Sequence, residues 1–174
     1  MYDYFEKNHL FDSALHGYRR NRSTVTALLA MYDKWVSAAN RGDISGAVLI
    51  DLSAAFDLVS HDMLLEKLRI YGFQEDFLNW IASYLSNRFQ SVWIDHVFSS
   101  YLPNTVGVPQ GSILGPLFFI IFFNDLPKYI QESIECYADD STISASAKNM
   151  EDLSLKLTRD CCEINSWMHS NKSN

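Results

Sequence analysis

Two adjacent aspartates, Asp139 and Asp140, lie between an apolar run, Ser133-Ile134-Glu135-Cys136-Tyr137, and a β-prone run, Ser141-Thr142-Ile143-Ser144. The pattern predicts a hairpin whose tight turn carries both aspartates. Neighbouring carboxylates repel, and a divalent cation relieves that repulsion, because Mg²⁺ takes oxygen ligands and shares its shell with phosphates. A partner carboxylate is available at Asp51, which ends the apolar run Gly46-Ala47-Val48-Leu49-Ile50, read as a buried strand. A strand ending in Asp51 beside a turn carrying Asp139 brings together the acids that a two-metal phosphoryl-transfer site needs. The plain alternative for the dipeptide alone is a surface turn, since aspartate favours turns for local hydrogen-bonding reasons.

At 174 residues, 48% of them apolar and 14% aromatic, the chain is one domain or part of one, with a real core and no disordered composition. A net charge of −7 is the wrong sign for a simple nucleic-acid binder. Metal-holding carboxylates contribute to that sign, and phosphate-gripping basic residues are expected outside this segment. Cys136, Cys161 and Cys162 form neither a zinc pattern nor an even disulfide framework, which points to a reduced, intracellular compartment. Residues 1–20 contain no secretory signal, and the longest apolar run, Leu117 to Phe123, is too short to cross a bilayer.

Residues 1–15 suggest a short amphipathic helix through Tyr4, Phe5, Leu10, Phe11 and Leu15. Ser23 or Thr24 caps a helix through Val25, Leu28, Leu29, Tyr32, Trp35 and Val36, stopped at Arg41-Gly42-Asp43. Just before that cap, Arg19, Arg20 and Arg22 form the densest basic cluster, suited either to a solvated loop or to phosphate contact. Helices are expected near 62–71 and 74–85, then a hairpin of strands 89–95 and 97–102. Arg88 and Gln90 there fit edge decoration or a template backbone. In the loop 108–112, Gln110 offers a neutral donor and acceptor, Gly111 allows close approach of backbone to a ligand, and Ser112 caps a buried helix ending near Asn124. A last helix spans 150–168.

Three segments together resemble the palm of a reverse transcriptase of the non-LTR (LINE- or jockey-like) retrotransposon type. They are Leu49 to His61, Gly107 to Phe119 and the tetrapeptide Tyr137 to Asp140; upstream, His16 to Thr24 resembles a further motif at the fingers edge. The resemblance implies an α+β palm, a small antiparallel sheet with split βαβ-like topology packed by helices. It implies a single partial domain, with fingers-edge helices in 1–45, palm in 46–168, and thumb and upstream fingers absent.

It also implies RNA-directed DNA polymerase activity on an RNA template, a DNA primer and deoxynucleoside triphosphates, with no membrane and no protein partner. Asp51, Asp139 and Asp140 are then the catalytic acids. With the Leu52 carbonyl they hold Mg²⁺, for which Mn²⁺ substitutes. Phe56, Gln110, Gly111, Arg19 and Arg22 would face the nucleotide, with the Phe56 ring excluding a ribose 2′-hydroxyl; from the residues alone Phe56 is equally a core side chain. Arg20, Arg88 and Tyr137 would touch nucleic acid. Trp167 to Lys172 is read as the start of the next palm motif, and the chain by itself is expected to be a poor polymerase. The competing expectation is an inert or purely binding remnant of such an enzyme.

Overall fold

The computed structural model describes residues 1–52 and 54–171; Ser53 of the Leu49–His61 motif and Lys172 of the C-terminal one lie outside them. In chain order the elements are α1 (Tyr2–Lys7), α2 (Thr24–Asn40), β1 (Ile44–Asp51), a 3₁₀ turn (Ala55–Leu58), α3 (His61–Ile70) and α4 (Glu75–Leu85). Then come four two-residue strands, β2 (Phe89–Gln90), β3 (Trp93–Ile94), β4 (Val97–Phe98) and β5 (Leu102–Pro103). They are followed by α5 (Leu114–Phe123), a second 3₁₀ turn (Leu126–Tyr129), β6 (Ser133–Tyr137), β7 (Asp140–Ala147) and α6 (Met150–Ser170). These divide into two compact units, Met1–Ala55 with Phe123–Ser170, and Phe56–Phe122 with Asn171.

The first unit is built on a three-stranded antiparallel sheet of order β1-β7-β6. Cross-strand partners share a face, so the register sorts the side chains. One face carries the rows Tyr137–Asp140–Asp51, Glu135–Thr142–Leu49 and Ser133–Ser144–Ala47. The other carries Cys136–Ser141–Ile50 and Ile134–Ile143–Val48, then Ala145 and Ala147 of β7 opposite Gly46 and Ile44. That second face is the apolar one, and α6 covers it: Ala145, Ala147 and Leu153 form a buried cluster joined by Leu157. A side chain at position 46 would meet Leu153 and Leu157 at 3.1 and 3.2 Å, so Gly46 lets the helix lie close on β1.

Two expectations change here, and one helix packs by a face its spacing left open. The run Gly46 to Ile50 is not a buried strand. Among the described residues β1 pairs only with β7, so it forms the outer strand with alternating exposure, and Leu49 is 80% exposed. Helix α2 begins and ends where its caps place it, with a reciprocal Ser23–Thr26 capping box at one end and Arg41 at the other. Its large apolar side chains, however, do not supply the packing face. Val25, Leu28, Leu29 and Tyr32 are exposed, while Ala27, Met31 and Ala38 are buried. The sheet face on this side is lined by serines, and small side chains let the helix approach it. Finally, helix α1 stops at Lys7, and Asn8 caps it in a non-helical conformation. Leu15 instead lies beside Cys136 in a parallel bridge, and the Phe11 ring packs against Phe5, tilted by 31° with centroids 4.8 Å apart.

In the second unit α3 and α4 follow the expected spacing, burying Leu64 and Leu68 of one and Leu78, Ile81 and Leu85 of the other. Ser112 Oγ accepts from Gly115 N at 2.9 Å, the helix cap expected before α5. The hairpin of 89–102 is a broken ladder rather than two continuous strands, β2 pairing with β5 and β3 with β4. Between the two pairs Ser99 N donates to Val92 O at 2.8 Å, while Val92 N donates to Ser99 Oγ, so a side-chain bond stands in for the reciprocal backbone one. Its tip is Asp95-His96, both at positive φ, as a type I′ turn requires.

Candidate active site

The hairpin of β6 and β7 carries its two acids in two different ways. Tyr137 pairs with Asp140, which leaves Ala138 and Asp139 as the two loop residues. The turn therefore holds Asp139 alone, and Asp140 is the first residue of β7. This corrects the expectation that both acids sit in the turn, and the reason is register: with Tyr137 paired to Asp140, Ala138 takes the first of the two loop positions and leaves only the second for an acid. Asp140 is in turn the direct partner of Asp51 on β1. Directly paired residues have Cβ atoms about 4.5–5.5 Å apart and project to the same side. Asp51 and Asp140 thus form a like-charged cross-strand pair at the open end of the sheet. Asp139 adjoins them at the turn, where Leu52 N donates to Asp139 O at 3.4 Å.

Like charges placed opposite each other destabilise a sheet unless something neutralises them. Among the described residues no lysine or arginine is ion-paired with Asp51, Asp139 or Asp140; those near the sheet, Lys34, Arg41, Lys148, Lys156 and Arg159, are committed to Asp43, Glu132, Glu135 and Asp160. Also among the described residues, no group of three or more His, Cys, Asp or Glu side chains closes around a point where a metal would sit. The donor set is therefore a pair of carboxylates with a third adjoining it. That fits a hard divalent ion completing its shell with water and substrate phosphates, and does not fit an all-protein cage. The Leu52 carbonyl already accepts from Ala55 N at 3.1 Å and keeps one lone pair for another partner.

The basic cluster is divided by its surroundings. Arg19 is a structural residue: its side chain is 9% exposed and lies over the Phe11 ring. It donates to both oxygens of Glu6 and to the carbonyls of Asp12 and Leu15. The Arg19 guanidinium holds the Glu6 carboxyl below the usual carboxylate range. Arg20 pairs with Asp3 at the surface, and Arg22 donates to Ser13 O.

In the second unit, Gln110 Nε2 donates to Asp57 Oδ1 at 2.8 Å, so Asp57 orients the Gln110 amide. Gly111 adopts φ +78°, the left-handed region where a side chain is strained. A cleft of about 390 Å³ brings Arg88, Gln90 and Gln110 together with Asp57, His61 and Asn104. Phe56 stacks on Phe119, with centroids 4.4 Å apart and planes 12° apart, so one ring face is packed.

One charged residue escaped the sequence reading. Glu135 sits on β6 with a side chain only 5% exposed, bonded to His16 Nε2 at 2.8 Å and Lys34 Nζ at 2.6 Å. The signal was a lone acid inside an apolar strand. Cys136, its neighbour, faces the opposite, apolar side, and burial pushes its thiol up to about 12. At pH 8 iodoacetamide should therefore modify the exposed Cys162 readily and Cys136 only after unfolding. Peptide mapping by mass spectrometry checks this, and equal labelling of the two would contradict the burial.

With this geometry in hand, comparison with known proteins identifies the lineage. Residues 2–173 match the reverse transcriptase (RNA-dependent DNA polymerase) family. The chain belongs to that family. It is 31% identical over 150 residues, 84% of its length, to the Drosophila melanogaster protein described as "Probable RNA-directed DNA polymerase from transposon BS". It is 30% identical over 142 residues, 77% of its length, to the RNA-directed DNA polymerase from mobile element jockey of the same organism. The lineage is that of non-LTR retrotransposon reverse transcriptases, in keeping with the four sequence motifs. The chain spans 16% and 15% of the lengths of these two relatives. The architecture, helices around a small antiparallel sheet, is compatible with such a domain, and no described helix is long and apolar enough to cross a membrane.

Proposed function

We propose that this chain carries the catalytic acids of an RNA-directed DNA polymerase, which extends a DNA primer with deoxynucleoside triphosphates on an RNA template. The observation that carries the reading is the β1–β7 register, which sets Asp51 opposite Asp140 beside the turn bearing Asp139, in a member of the reverse transcriptase family. The sheet of the first unit and α6 take the part of the palm, and the segment before β1 that of the fingers edge. Asp51 and Asp139 hold the divalent ions, with Asp140 and the Leu52 carbonyl as further oxygen donors. Bound Mg²⁺, or Mn²⁺ in its place, supplies Lewis-acid charge to the primer hydroxyl and the α-phosphate.

The chain's own residues do the rest. Asp51 and Asp140 concentrate negative charge on one sheet row, which attracts cations to the place where triphosphate oxygens arrive. Gln110, oriented by Asp57, and Gly111 face the nucleotide. The Phe56 ring, backed by Phe119, stands against the sugar and disfavours a 2′-hydroxyl. Arg88, Arg20, Arg22 and Tyr137 are the proposed contacts to phosphates and nucleic acid, and Arg19 holds the segment that presents its neighbours.

The test is primer extension by the full-length protein on RNA and DNA templates with Mg²⁺ or Mn²⁺. Template-directed deoxynucleotide incorporation on RNA is expected. Tight primer-template binding without incorporation under any metal would favour the inert-remnant reading instead.

A further inference from the structure

The turn that carries Asp139 is strained and is held from behind. Ala138, the first loop residue, adopts φ +56°, where a side chain is disfavoured and glycine is the usual occupant. Such a conformation persists only where the surroundings over-determine it. The surroundings here are residues 14–17. Cys136 N donates to Ala14 O and His16 N to Cys136 O, both at 2.8 Å, which lays this segment along the outer edge of β6. The next residue, Gly17, is buried against the turn itself. A methyl group at position 17 would lie 2.3 Å from Ala138 N, 3.0 Å from its Cα and 3.2 Å from Tyr137 C. These are backbone atoms, which cannot swing aside as the end of a side chain would. Position 17 is thus glycine for want of space.

The segment is locked in register on its other side. His16, with a side chain 1% exposed, bonds Glu135 through Nε2 and Thr26 Oγ1 through Nδ1, both at 2.8 Å. It is thereby tied to β6 and to the first turn of α2 at once. Tyr18, directly after Gly17, lies close enough to Asp139 that the carboxylate adds to the effect of burial in pushing its hydroxyl up.

We infer that Gly17 is a positioning residue for the catalytic turn: its bare backbone, clamped by His16, fixes the path of Ala138 and hence the direction of the Asp139 carboxylate. This rests on the polymerase reading above. It assigns to the His16–Tyr18 segment a task in aligning the metal-binding acid, apart from any contact of that segment with substrate.

The experiment is steady-state primer extension by the full-length protein, with Gly17→Ala, His16→Gln and Asp139→Asn beside the unaltered sequence. Gly17→Ala is expected to lower kcat on the order of 10–100-fold, since displacing a reacting group by about 1 Å has that effect. KM for deoxynucleotide and primer-template affinity should stay within about twofold, and the Mg²⁺ concentration for half-maximal rate should rise. The double variant Gly17→Ala with Ala138→Gly, whose turn can move away from the added methyl, should recover part of kcat. His16→Gln, which adds no atom at the turn and keeps one of the two hydrogen bonds, should lower kcat less, again without changing KM. A Gly17→Ala protein that folds and keeps kcat within about twofold overturns the inference. If Gly17→Ala does not fold, His16→Gln decides, and an unchanged kcat there overturns it. Absence of incorporation by the unaltered protein sinks the polymerase reading and this inference with it. Activity abolished by Asp139→Asn but indifferent to position 17 sinks this inference alone.

Discussion

Asp139→Asn in the full-length protein is expected to lower primer extension by roughly 10³-fold, about 4 kcal/mol of transition-state stabilisation, while primer-template binding stays measurable. Asparagine keeps the size and the polar contacts of the turn and removes only the charge. With Asp51 and Asp140 still paired across the strands, the sheet has no reason to reorganise. Asp51→Asn should have an effect of the same order, since it removes the other half of the proposed ion-holding set. The double variant should fall little further, because acids that act as one unit are not additive. Single-turnover incorporation under Mg²⁺ is the measurement. Residual polymerisation above about a tenth of normal in either variant would remove these acids from the chemistry.

The largest expected change in stability is at Glu135. Its carboxylate meets a fully buried imidazole on one side and a half-exposed lysine on the other. Removing one partner of a buried hydrogen bond typically costs about 1–3 kcal/mol, because the group left behind has lost its water as well as its partner. Lys34 can return to water and His16 cannot, so Glu135→Ala should fall at the upper end of that range, about 3 kcal/mol. Lys34→Met should cost at most about 1 kcal/mol, as expected for a pair with one exposed member. Urea unfolding followed by circular dichroism measures both. A loss below about 1 kcal/mol for Glu135→Ala would mean that the triad does not hold the 14–17 segment to β6. The inference about Gly17 would then lose its clamp.

Much of the fold was open to reading because its signals are local. The Ser23 cap, the stop at Arg41, the Ser112 cap and the periodicity of α3, α4 and α6 each depend on residues within a turn or two of one another. The motifs around Asp51, Gln110 and Asp139 were legible for a different reason: they are short strings whose order and spacing resemble one lineage, and the family match agrees with that lineage.

What local pattern left open was direction. Helical spacing in α2 shows that Val25, Leu28, Leu29 and Tyr32 share a side, but not that the sheet beneath is lined by serines and takes the alanines instead. Apolar content shows that 46–50 is a strand, but not that it lies on the outside of its sheet. Arg19 reads as a phosphate ligand until Glu6, Phe11 and two carbonyls surround it.

The sequence by itself determined the family to which the chain belongs and which stretches coil or extend, since short motifs, caps and side-chain shape act over a few residues. Tertiary structure alone decided that Asp140 faces Asp51 while Asp139 takes the turn, and that an acid on β6 and a glycine 121 positions before Ala138 lie behind it. Strand register and the close approach of distant backbones depend on how the whole chain buries its apolar surface, and no short window of residues encodes them.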